Sequence, residues 1–370
     1  MEGVCHLATK SVQPVDRSNP LTNRLKTIVA REIGIAEPHI LHIALSEQPG
    51  LGGGHARLLT VEFDTEAGQR LAWSAVYRFE GDGPLPVWCA SAAREARFYQ
   101  TLAPHLPVET PRLIHAEPDE GWLLVEVLPR GRPDRSWRLH DYYAVLEDLA
   151  ALHAAFWDGR GLDKHNWLTQ PIDRNTLSLL DEGRTAWRKL HDQVPLPPDL
   201  FTRRGMRYLR TLLEDPSPVL SVLRELPRTL LHRNLWVGNI RLIGPGTGPL
   251  TMRRRGRRVF FDWRLAGIGP APLDVVILLE SSDWWYGPLP APRCTLEAHY
   301  LHSLNAHLSQ PLDADLYWRA LDAANLWYQI IAGLPALARP ESSLYLRLNF
   351  EAFHRAWWGP MLNAARRLLG

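Results

Sequence analysis

His232, Asn234 and Asn239 lie in one short segment, L-L-H-R-N-L-W-V-G-N from Leu230 to Asn239. Asp262 follows in V-F-F-D-W-R-L-A-G-I-G-P-A-P-L-D, which starts at Val259. An imidazole, two amides and a carboxylate therefore sit on either side of a hairpin-sized gap. Asp262 ends a strongly apolar run, so its carboxylate is expected at a strand end, facing a cleft. Taken singly these signals are weak. His-x-Asn is a common pattern, and an Asp after an apolar strand often caps a turn. It is the joint pattern over both segments that is specific.

That joint pattern resembles the catalytic core of the aminoglycoside-phosphotransferase and choline-kinase family. Family members read roughly L-x-H-G-D-x-x-x-x-N, then a short hairpin, then I-D-W with a trailing G-x-G and a second Asp. His232, Asn239, Asp262, Trp263, Gly267, Gly269 and Asp274 fall in register with it. The resemblance implies a protein-kinase-like fold and transfer of a phosphoryl group from ATP (or GTP) to the hydroxyl of a small molecule. It assigns magnesium to Asn239 and Asp262, a loop-supporting role to His232, and the position of the catalytic base to residue 234. Such chemistry rests on positioning and charge neutralisation more than on covalent catalysis.

Further segments extend the resemblance over nearly the whole chain. A-A-R-E-A-R-F-Y-Q-T-L-A, from Ala92 to Ala103, is similar to the family's R-E-x-x-x-Y-x-x-L helix. There the Glu, matched by Glu95, pairs with a strand Lys that holds the nucleotide phosphates. V-E-T-P-R-L-I-H-A at Val108 and L-A-A-L-H-A-A-F-W at Leu149 match two more family segments. His153 in the latter reads as a structural core histidine. Gly52, Gly53 and Gly54 stand where a phosphate-covering loop belongs, and backbone amides of such loops cradle phosphates. Glu126, Val127 and Leu128, at the end of an apolar run, are assigned to the nucleotide-contacting hinge.

The sequence departs from the family pattern at three places. The base position is Asn234, and an amide cannot usefully accept a proton at neutral pH. General-base help is worth roughly 10²–10⁴-fold, so its loss predicts slow turnover rather than none. The strand Lys is replaced by Arg78, which keeps the charge but not the shape; a surface Arg on an edge strand is the alternative. The Gly of the H-G-D motif is Arg233, followed by Trp236 and Val237 in place of the usual His and Pro. A large cation and a large ring beside the reaction centre would block or reshape the acceptor site. Two functions stay open: an attenuated ATP-dependent phosphotransferase, and a pseudokinase that binds nucleotide or acts as a scaffold. Transfer of another part of ATP, such as adenylyl, has no residue in its favour.

The acceptor is not legible. Glu280, Asp283, Glu297, Asp313, Asp315 and Asp322 are dispersed among Arg and Trp. W-W-Y at Trp284 reads either as core or as the border of a partly apolar acceptor groove.

These groups need a scaffold. The chain has 370 residues, enough for two domains or one large two-lobed one. Periodicity predicts helices carrying Leu25 to Ile33, Ala92 to Leu102 (with Ser91 as N-cap), Tyr142 to Phe156, Tyr317 to Ile331 and Leu344 to Trp357. Strands are predicted at Arg57–Phe63, Trp73–Phe79, Trp122–Leu128, Asn239–Ile243 and Arg258–Trp263. Strands come first and helices with an embedded strand pair follow. This order predicts an α+β, bilobal fold, with a flexible leader at 1–20, a β-rich nucleotide-binding lobe at 21–128 and a larger helical lobe at 129–370. A net charge of +2 calls for no nucleic-acid partner. The basic run from Arg253 to Arg258 reads as a solvated hairpin tip. Cys5, Cys89 and Cys294 show no disulfide or zinc spacing. No secretory signal or membrane-spanning stretch is apparent, so a cytoplasmic location is expected. The sequence does not indicate an oligomeric state.

Overall fold

The computed structural model describes residues 13–14, 20–35, 39–46, 56–65, 67–80, 90–132, 136–193, 202–244, 256–338 and 349–370. Gly52, Gly53 and Gly54, most of the expected leader, Arg253 to Arg255, and Leu344 and Leu348 lie outside the described residues. The chain divides into two compact units. Met1–Pro84, Ser91–Pro104 and Thr110–Pro129 form the first; Leu85–Ala90, His105–Glu109 and Arg130–Gly370 form the second.

The first unit is built on a six-stranded antiparallel sheet. Its strands are β1 (Gln13–Pro14), β2 (His39–Ser46), β3 (Ala56–Asp64), β4 (Arg70–Phe79), β5 (Leu113–Glu117) and β6 (Trp122–Val125), in the order β1-β2-β3-β4-β6-β5. Within the expected leader, Gln13 and Pro14 pair with Leu45 and Ala44 of β2. Leu59, Val61 and Phe63 alternate along β3 and all point inward, as the two-residue period of a strand requires. Helix α1 (Pro20–Ile33) adds Leu25, Ile28 and Val29 to the same core cluster. Helix α2 (Ala92–Thr101) begins at Ser91, whose hydroxyl caps the Arg94 N–H.

Strand β6 is shorter than the apolar run predicts. It pairs with β4 and β5 only as far as Val125. Beyond it the Glu126 carboxylate accepts from the Arg112 N–H, and its own N–H donates to the Arg112 carbonyl.

The second unit is mainly helical. Its principal helices are α3 (Leu139–Ala155), α4 (Thr176–Gln193), α5 (Arg203–Glu214), α6 (Ser217–Arg224), α7 (Pro272–Tyr286), α8 (Arg293–His307) and α9 (Ala314–Tyr328). Helix α7 is buried continuously from Pro272 to Trp284, and it takes the acids Asp274, Glu280 and Asp283 into the interior along with its apolar side chains. Two small antiparallel pairs are set into this unit. One joins β7 (Arg228–Leu231) to β10 (Gly267–Pro270), and the other joins β8 (Ile240–Ile243) to β9 (Arg257–Phe260).

Strand β9 ends at Phe260, earlier than expected, because Asp262 adopts a left-handed conformation at φ 70°. The β7–β10 pair was not anticipated. Four-residue strands reading R-T-L-L and G-I-G-P carry little period-two signal. Gly267 is needed there: a Cβ would stand 2.5 Å from the Thr169 hydroxyl and 2.7 Å from its carbonyl. The basic run is not merely a solvated tip, since Arg257 pairs with Glu109 and Arg258 with Asp148.

Candidate active site

The loop after β7 is held by Asp274, in the first turn of α7. Its carboxylate accepts from the backbone N–H of His232 at 2.6 Å and of Arg233 at 2.7 Å. His153 Nε2 approaches the same carboxylate at 3.4 Å, while its Nδ1 meets the Tyr300 hydroxyl at 2.6 Å. The two converging N–H groups at the start of the loop account for an acid at this point of α7: a negative charge satisfies both donors at once.

His232 is fully buried. Its Nε2 bonds the Phe261 carbonyl at 3.1 Å, and its Nδ1 accepts from the Asn234 N–H at 3.3 Å. This fixes one neutral tautomer, with the proton on Nε2. Burial lowers its pKa, outweighing the opposite pull of Asp274 and Asp262. The ring lies 4.3 Å from that of Trp263, centre to centre. His232 therefore ties the loop to the strand end that bears Asp262.

Asn234, Asn239 and Asp262 come together. Asn234 Nδ2 donates to Asp262 Oδ2 at 3.1 Å, and Asn239 Nδ2 donates to the Asn234 carbonyl at 2.7 Å. The Phe261 N–H closes the ring of contacts on the Asn239 carbonyl. The left-handed turn at Asp262 also folds its carboxylate back on Arg264, a residue that sequence reasoning missed. Arg264 Nε donates to Oδ1 at 2.6 Å and Nη2 to Oδ2 at 3.1 Å. Both side chains are largely buried, 11% and 4% exposed. On a helix an Arg two positions beyond an Asp does not face it, and β9 ends at Phe260, so neither residue lies in a strand; the backbone turn brings them together.

The set does not fit a magnesium ion as it is arranged. Magnesium takes oxygens at about 2.0–2.1 Å in near-octahedral geometry. Both Asp262 oxygens already accept from a guanidinium, and one also accepts from Asn234. Among the described residues, no group of three or more His, Cys, Asp or Glu is placed to hold a metal.

Arg233 occupies a left-handed position, φ 62°, where a glycine would be unstrained. Its Nη1 donates to the Thr169 hydroxyl at 2.6 Å. Trp236 packs against Tyr286 and Trp285, with ring centres 5.8 and 6.2 Å away. The W-W-Y segment thus divides its duties: Trp284 packs with Trp357 and Phe353, and its two successors meet Trp236 in the loop after β7.

In the first unit, β4 is an interior strand, so Arg78 is not on an edge. It is 3% exposed, and its Nη1 lies 3.6 Å from Glu95 Oε2. Glu95 is completely buried. Val127 is exposed, and Glu126 and Leu128 are half-buried.

In the helical unit, the dispersed acids are mostly met by arginine. Arg293 contacts Glu280 and Glu297, Arg355 contacts Asp283, and Arg367 contacts Asp322. Glu297, Asp322 and these three arginines border a cavity of about 730 Å³. Burial pushes Glu280 up to about 8, although Arg293 and Gln329 pull it down. Arg293 itself is raised despite its burial; the coulombic pull of Glu297 on it is larger than that of Glu280, so a protonated Glu280 and a charged Arg293 are compatible.

A β-rich unit with a buried Arg–Glu pair, and a helical unit with an H-x-N loop facing a strand-end Asp, define a protein-kinase-like, bilobal α+β fold. A choline kinase from Cryptosporidium parvum Iowa II superposes with a TM-score of 0.54 at 12% identity, over 93% of this chain and 95% of that chain. A choline kinase from Streptococcus pneumoniae gives 0.49 at 14% identity, over 92% and 99%. An aminoglycoside phosphotransferase from Alicyclobacillus acidocaldarius gives 0.47 at 13% identity, over 90% and 92%. No curated protein matches the chain in sequence. Residues 52–310 match the phosphotransferase enzyme family, and the chain belongs to it.

Proposed function

We propose that this chain binds a nucleoside triphosphate, ATP or GTP, and that its transfer of phosphate to a small-molecule hydroxyl is strongly attenuated. The observation that carries this reading is the environment of Asn234. By the family pattern this residue takes the base position of the loop; its amide nitrogen donates to Asp262. The group beside the carboxylate is thus a hydrogen-bond donor, with no basic atom to take a proton from an acceptor hydroxyl. Positioning and electrostatics, which supply much of phosphoryl-transfer catalysis, are then what this loop can still contribute. The buried Arg78–Glu95 pair supports nucleotide binding by the β-rich unit.

A nucleotide-binding pseudokinase is the second reading. The occupation of Asp262 by Arg264 favours it, because the carboxylate is already neutralised. For either reading the acid–arginine pairing of the helical unit supports a neutral or partly apolar acceptor over a polycation. Three irregularly spaced cysteines support a cytoplasmic location.

The test is a thermal-shift titration with ATP and with GTP, together with ADP or GDP release. A saturable rise in melting temperature with very slow nucleotide turnover is expected, and Arg78→Ala should weaken the response. Absence of any rise, or brisk turnover by the wild type, would overturn the reading.

A further inference from the structure

Arg264 is the group that most changes what this site can do. The left-handed turn at Asp262 and the short helical turn after it bring the guanidinium onto the carboxylate as a fork. The two contacts, 2.6 and 3.1 Å, use both oxygens. A planar guanidinium matches a carboxylate bidentately, as a metal ion also does. Asn234 adds a further donor to Oδ2. The local charge at Asp262 is therefore already balanced, by a cation that belongs to the chain.

We propose that Arg264 is a built-in cation that takes the place of a divalent metal at Asp262, so that nucleotide binding by this chain does not require magnesium. The proposal rests on the nucleotide-binding reading above and deepens it. Arg264 acts through Asp262 and is a positioning residue. Its guanidinium fixes the carboxylate and repels a second cation from the same oxygens. In this arrangement Asp262 contributes to the site as half of a neutral pair. Asn239, whose amide nitrogen is committed to the Asn234 carbonyl, retains only an amide oxygen to offer a metal.

Manganese binding followed by electron paramagnetic resonance tests this without relying on turnover. Wild-type protein should bind no more Mn²⁺ than Asp262→Asn, with or without a non-hydrolysable ATP analogue. Arg264→Ala should gain one Mn²⁺ site, which Asp262→Asn added to it should remove. Arg264→Lys, which keeps the charge, should behave as the wild type does. In parallel, the affinity of the wild type for the ATP analogue should be the same in magnesium and in chelator, whereas for Arg264→Ala magnesium should tighten it by about tenfold or more.

An Asp262-dependent Mn²⁺ site in the wild type, or a folded Arg264→Ala that gains none, overturns the proposal. So does wild-type affinity that collapses in chelator. Should Arg264→Ala not fold, Arg264→Gln takes its place, and the wild-type comparison with Asp262→Asn needs neither. Failure of the wild type to bind the analogue under both conditions would sink the nucleotide reading instead. The nucleotide-free Mn²⁺ measurements would still decide the role of Arg264.

Discussion

On the proposed reading, Asn234→Asp puts a base where the loop lacks one, and the structure sets its cost. Asn234 Nδ2 stands 3.1 Å from Asp262 Oδ2 and donates to it. A carboxylate in the same rotamer turns that attraction into a contact between two anionic oxygens. At an effective dielectric of about 20, two unit charges at that separation repel by about 5 kcal/mol. Arg264 lies on the same carboxylate and offsets part of this. The variant should therefore melt at a lower temperature than the wild type, and its new acid should hold its proton to higher pH than a free aspartate does. The gain in turnover, up to roughly 10²–10⁴-fold, should accordingly grow as pH rises. The assay is coupled release of ADP against a panel of small hydroxyl compounds, with water as the default acceptor. Arg233→Gly combined with Asn234→Asp gives the loop its unstrained backbone as well. Brisk wild-type turnover that is unchanged or impaired by Asn234→Asp would show that another residue takes the proton. An unchanged melting temperature would show that the two side chains are not in contact.

Two further outcomes follow from buried acids. Asp274→Asn keeps the shape but removes the charge that accepts from the His232 and Arg233 N–H groups. Hydrogen bonds to a charged group contribute about 1.5–3 kcal/mol each, so urea unfolding should show a loss of several kcal/mol. A loss below ~1 kcal/mol would count against the tie. Glu280, raised to about 8 when folded against an ordinary 4.5, binds more protons in the native than in the unfolded state between those values. Its contribution to stability is therefore present below the unfolded value and lost as pH rises through about 8. Glu280→Gln should remove that decline, which at ~1.4 kcal/mol for each pH interval of one between the two values is of the order of a few kcal/mol. Parallel stability–pH curves for the two proteins would refute it.

Much of the scaffold was legible because its signals are local. The alternation in β3 and β4, the capped helix α2 and the apolar face of α1 each announce themselves within a dozen or so residues. The site motif was legible for another reason: His232, Asn239, Asp262 and Asp274 stand at fixed spacing around a hairpin. What the sequence hid depends on backbone turns and on distant partners. Arg264 reaches Asp262 only through a left-handed residue, and Arg233 finds Thr169 across a long stretch of chain. Strands β7 and β10 pair at a separation that no window of periodicity spans, and their four-residue length leaves no pattern to read. The arginine partners of Glu280, Asp283 and Asp322 belong to other helices or to later turns of the chain, so a scan for acidic clusters could not show that the charges are neutralised.

The tie made by Asp274 has a consequence for how this loop can vary. It grips the loop by main-chain N–H groups, which every residue type except proline provides. The shape of the loop is thus insured against changes in the side chains it displays. Arg233, Asn234 and Trp236 can differ from the family pattern while the backbone that carries them stays where Asp274 and His232 hold it. Mutational drift, or selection for a new task, can rewrite the chemistry of such a loop without first having to invent another architecture.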